Sequence, residues 1–134
     1  MPSAAFHTRT LARPGLALAY CTQILTRQVY AMEYAVLLRN FLDGEGRLKQ
    51  MPAKHKLRAY VYLWAAAQLE PDRRYSEGEL NVCIDRLTAF RDPATIRRAL
   101  VDYGFMARLP DGSAYWLLDP QPTLADLGLA EPGN

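Results

Sequence analysis

Apolar residues recur at helical spacing in four stretches of this chain and then alternate in two short ones. Tyr34, Leu37, Leu38 and Phe41 fall on one stripe and predict a first helix over Glu33–Leu42. The run Asp43-Gly44-Glu45-Gly46 ends it, and Arg47-Leu48-Lys49 reads as a short extended piece. A second helix is expected from Pro52 to Leu69, with Leu57, Tyr60, Val61, Trp64 and Ala67 facing inward. Proline opens it at a position whose N–H has no helical partner, and Pro71 stops it.

The stretch from Arg73 to Trp116 carries the clearest local signals. Ser76-Glu77-Gly78-Glu79 is a capping box, in which hydroxyl and carboxylate each take a backbone N–H. Leu80, Cys83, Ile84 and Leu87 then form the inner face of a third helix. Thr88–Arg91 is a turn. Asp92-Pro93 opens a fourth helix as N-cap and first position. Ile96, Ala99, Leu100 and Tyr103 are placed inward. Thr95, Arg98 and Asp102 are placed on the exposed face, with Arg97 beside them. Gly104 follows, where a left-handed cap residue is expected. Phe105–Leu109 and Ala114–Leu118 are short strands joined by Pro110-Asp111-Gly112-Ser113. Tyr115 and Trp116 face opposite sides of their strand, and Trp116 is assigned to the core.

Helix, turn, helix and hairpin in this order form the pattern of a winged helix. The expected fold is mainly helical (α+β): a winged helix-turn-helix over residues 32–119, with a C-terminal hairpin wing and an extra N-terminal helix. Residues 1–31 contain three arginines and no acid. They are expected to be a poorly ordered extension outside the fold, with Met32 a candidate initiator. Residues 120–134 are expected to be a loose tail, in which Leu124, Leu127 and Leu129 form a short docking turn.

A length of 134 residues fits one domain, and 50% hydrophobic residues suffice for one modest core. Two distant cysteines, Cys21 and Cys83, argue against a disulfide framework and a zinc site. No apolar run reaches the roughly 18 residues of a membrane span, so a cytoplasmic protein without a membrane partner is expected. The formal net charge is only +2. Affinity for DNA comes largely from Lys and Arg on phosphates, so positive charge must be gathered on one face.

Two groups meet that need. Arg97 and Arg98 lie near the start of the fourth helix, where a recognition helix meets DNA. A guanidinium there can pair bidentately with guanine. Thr95 and Arg91 accompany them. Arg47, Lys49, Lys54, His55, Lys56 and Arg58 make a second basic cluster suited to phosphates. The hairpin tip, Asp111, is acidic, with Arg108 as its nearby cation, which argues against a wing that tracks DNA. Catalysis finds no support: His7 and His55 lack partners at motif spacing, and no Gly-rich phosphate loop or metal-ligand spacing occurs. No cofactor is expected.

From Phe41 to Trp116 the chain resembles the bacterial family called domain of unknown function 2087. The resemblance rests on FLDGEGRLKQMPAK (Phe41–Lys54), RRYSEGELN (Arg73–Asn81) and DPATIRRALVDYGFMARLPDGSAYW (Asp92–Trp116). It implies a regulatory, DNA-associated context, because members occur alone or behind helix–turn–helix regulator domains. The chain departs from the family pattern at Ala99, where an acid is usual, and at Phe90-Arg91, where a histidine is common. The leading expectation is therefore a small DNA-binding transcriptional regulator on double-stranded DNA. Its rival is a protein-interaction module without a nucleic-acid role. A homodimer through the Glu33–Leu42 helix, or another regulatory protein, is the expected partner.

Overall fold

A computed structural model describes residues 14–129, with side chains from Leu25 onward. Residues 1–13 and 130–134 of the two expected flanks lie outside the described residues. The described chain is mainly helical, with one small antiparallel sheet. Helix α1 spans Pro14–Leu37, and a 3-10 turn, Arg39–Phe41, follows it. Helices α2 (His55–Ala67), α3 (Glu77–Leu87) and α4 (Pro93–Asp102) precede strands β1 (Met106–Arg108) and β2 (Tyr115–Leu117).

The first helix corrects two expectations. It begins near Pro14 rather than at Glu33, and it ends four residues after Glu33, at Leu37. Much of the segment placed outside the fold is thus helical and packs along α2. The helix carries two apolar stripes. Tyr34, Ala35 and Leu38 pack on the core, with Leu38 fully buried. Leu25, Val29, Met32 and Val36 lie bare at 53–68% exposure. The stripe expected to serve a homodimer, Tyr34–Phe41, is thus mostly spent inside the monomer. The bare positions step by four, three and four residues, the spacing of a coiled-coil seam.

α2 fills the centre of the molecule. Eight consecutive residues, Ala59–Ala66, are buried, because α1 covers one side of the helix and α4 the other. Tyr62 stacks on Tyr103 with ring centroids 5.3 Å apart. Tyr103 was expected to point into the core, yet it remains 43% exposed and lies over Tyr62 at the surface.

α3 starts as its sequence dictates. The Ser76 hydroxyl accepts from the Glu79 N–H at 3.1 Å, and the Glu79 carboxylate accepts from the Ser76 N–H at 2.8 Å. Ser76→Ala is expected to cost about 1 kcal/mol in a urea titration. The Ser76 N–H also holds the Glu79 carboxyl below its ordinary pKa. A depressed folded value gives stability that is whole above the unfolded pKa, about 4.3 for Glu. It is lost as pH falls through the folded value. The urea midpoints of Glu79→Gln and the parent should therefore differ at neutral pH and converge once the pH has fallen past the depressed folded value.

The hairpin pairs Met106 with Leu117, Ala107 with Trp116 and Arg108 with Tyr115. Tyr75 extends it by a single bridge, exchanging two 2.8 Å backbone bonds with Tyr115. That bridge puts Tyr115 inward at 3% exposure. Trp116, assigned above to the core, turns outward instead, half-buried under the Arg74 guanidinium at 4.3 Å. The chain after β2 folds back. Gln121 donates to the carbonyls of Phe105 and Leu118, and Leu124 and Leu127 are buried.

Candidate nucleic-acid interface

Three local devices position α4. Asp92 caps it, accepting from the Thr95 N–H at 3.4 Å and from the Thr95 hydroxyl at 2.6 Å. Ile96, Ala99 and Leu100 anchor its inner face. The third device is the backbone of Leu48, which is threaded beside the turn. The Leu48 N–H donates to the Leu87 carbonyl and its carbonyl accepts from Ala89, both at 2.8 Å. This tie holds the turn closed where Arg91 takes φ of 52°, a left-handed conformation that a β-carbon makes costly.

Arg97 is not on the exposed face. It is only 9% exposed, and its Nη1 donates to Asn81 Oδ1 at 2.6 Å. Its Nη2 lies 3.9 Å from Glu77 Oε1, and the Tyr115 hydroxyl donates to that same oxygen at 3.0 Å. Arg97 thus joins α3, α4 and β2 in one polar network. The helical period explains its side: Arg97 stands one turn before Leu100, within the buried stripe. Glu77 and Asn81 stand four residues apart on α3 and present their acceptors on one face. That spacing was the available signal for the network. Helix initiation alone accounts for the sequence position of Glu77 but not for this bond pair.

Arg98, Thr95 and Arg91 are exposed. Arg98 and Asp102 border a groove of about 300 Å³ between α4 and the hairpin. Arg108 and Val101 line it too, with Glu77, Arg97 and Tyr115 beneath. The Ser113 hydroxyl and N–H hold the tip carboxyl of Asp111 below its ordinary pKa, so the tip is negative at neutral pH.

The second basic cluster divides. Arg47 is half-buried, and its Nη2 donates to the carbonyls of Asp85 and Thr88. These carbonyls lie at the C-terminal end of α3, where a cation also meets the negative end of the helix dipole. Arg47 therefore serves the fold first. Lys49 is exposed and follows Leu48 directly, so it lies beside the 88–91 turn. Lys54, Lys56 and Arg58 are exposed at the start of α2. His55 there reaches the Leu127 carbonyl at 3.4 Å, against the returning C-terminal segment.

Among the described residues, no group of three or more His, Cys, Asp or Glu side chains is arranged to hold a metal ion. No described helix is long and apolar enough to cross a membrane.

Helices α2, α3 and α4, the turn tie and the hairpin all lie in the region that a known family covers. The family model for an uncharacterized protein conserved in bacteria, DUF2087, matches residues 47–117. This is more than half of the 134 residues, and the chain belongs to that family. No curated protein and no solved structure matches the chain.

Proposed function

We propose that this chain is a small cytoplasmic transcriptional regulator of winged-helix type that binds double-stranded DNA through α4. The observation that carries the reading is the placement of exposed cations around that helix. Arg98 lies on it, Arg91 and Lys49 lie at the turn before it, and Arg108 lies on the hairpin after it. The element order α2, Tyr75 bridge, α3, turn, α4, hairpin supports the same reading. Arg98 is the side chain for a base edge and Thr95 its neighbour. Arg91, Lys49 and Arg108 are assigned to phosphates. Lys54, Lys56 and Arg58 are secondary phosphate contacts. Arg97 and Arg47 support the interface without touching DNA.

A low-salt gel shift with mixed-sequence duplex tests this. Retardation is expected, and Arg98→Ala should weaken it by about 1–3 kcal/mol. Absence of any shift at low salt would sink the proposal.

One observation favours a second reading, an interaction module without a nucleic-acid role. The bare stripe Leu25, Val29, Met32 and Val36 suits a helix of a second copy. Under that reading the protein has twice the monomer mass in light scattering and gives no gel shift.

A further inference from the structure

A second cavity shares no lining residue with the groove beside α4, and its walls come mostly from outside the family region. It measures about 320 Å³ and is open to solvent along one side. Small-molecule sites run from about 300 to 1,000 Å³, so this one suits a small ligand. Tyr30 and Tyr34 of α1 form one wall, and Tyr34 stacks on Tyr60 behind it with centroids 6.1 Å apart. Leu63 and Phe105 form the floor. Pro122 and Leu124 of the returning C-terminal segment close the far side.

The single charge among the lining residues is Arg27. Its Nη2 donates to the carbonyls of Ala66 and Leu69 at the end of α2. Among the described residues it has no carboxylate partner within ion-pair distance, and its Nε is buried without an acceptor. Two carbonyl oxygens do not neutralise a full charge that burial has partly stripped of water. With Nη2 given to the two carbonyls, Nη1 is the donor left to meet an anion from the cavity. The surroundings therefore ask for an anion, and the walls ask for an apolar or aromatic body attached to it.

We propose that this cavity binds a small monocarboxylate with an aromatic or apolar body, the carboxylate on Arg27 and the body against Tyr30 and Tyr34. Such a ligand would lie against Gln121–Leu124, and Gln121 in turn holds the carbonyls at both ends of the hairpin, Phe105 and Leu118. The site does not depend on the DNA reading, since a ligand can bind whether or not the groove beside α4 takes a duplex.

Calorimetric titration of the full chain with 3-phenylpropionate, 3-phenylpropionamide and acetate tests the proposal. The acid should bind with one site in the millimolar range or tighter, as its small size allows. The amide should bind about tenfold more weakly, having lost the charged contact. Acetate should show no saturation. Arg27→Gln should erase the preference for acid over amide. Should that variant fail to fold, Tyr30→Ala decides, because Tyr30 is half-exposed and its loss leaves the core intact. It should weaken the acid and the amide alike, by about fivefold or more. The proposal is overturned if the acid does not saturate, if acid and amide bind equally to the parent, or if Tyr30→Ala binds the acid as the parent does.

Discussion

Arg97→Ala is expected to lower stability by about 2–4 kcal/mol, while Arg98→Ala changes it by less than about 0.5 kcal/mol. The two neighbours differ because of their partners. Arg97 is buried, and its bond to Asn81 at 2.6 Å is charge-assisted. A hydrogen bond of that kind contributes about 1.5–3 kcal/mol, and the lost stem of the side chain adds packing. The Glu77 contact adds less, because its 3.9 Å separation and 49% exposed carboxylate leave it screened. Lysine at this position has no fork to reach both acceptors, so Arg97→Lys should recover only part of the loss. Urea midpoints decide the matter: a midpoint for Arg97→Ala equal to the parent's would refute the structural role. The consequence for DNA work is practical. A double substitution of both arginines confounds unfolding with lost contact, and Arg98→Ala alone separates them.

Leu48→Ala is expected to cost about 2–5 kcal/mol, as deletion of a fully buried leucine usually does. Domains of this size are stable by only about 5–15 kcal/mol. The loss should also have a local signature. Leu48 bridges Leu42 on one side and Thr88 on the other, and the Ala89 amide is held by its carbonyl. Amide exchange at Ala89 should accelerate more than at Leu80 or Ile84 in the middle of α3. If all three accelerate equally, the tie has no separate role in holding the turn.

Local chemistry made much of the region from Ser76 to Leu117 legible. The capping box, the Asp92-Pro93 start, and the glycines at φ 85° and 76°, Gly104 and Gly112, all stand where the turns require them. The misses share a cause. α1 has apolar residues on two stripes, one for α2 and one bare, so no single period marks its start. Tyr115 and Trp116 must face opposite ways, but only the Tyr75 bridge and the Glu77 acceptor decide which goes inward. Arg97 and Arg98 are chemically identical; the helical period puts Arg97 a turn before buried Leu100, and the acceptors on α3 fix it there. Each of these choices depends on a partner distant in sequence. The cavity at Arg27 was hidden for the same reason, since its walls come from both flanks and the core.

Arginines occupied inside the fold also set how the interface should respond to ions. Arg27 and Arg47 are spent on helix-end carbonyls, Arg73 on Glu70, and Arg97 on Asn81. About four cations, Arg91, Arg98, Lys49 and Arg108, then remain close enough to α4 to displace counterions from a duplex. Counterion release predicts a logarithmic salt slope of about −3 to −4 for this set alone, steeper where Lys54, Lys56 and Arg58 also meet phosphates. Under the proposed DNA-binding reading, such a protein would hold DNA weakly outside its preferred site, and selectivity would have to come from the few side chains of α4 that reach the bases.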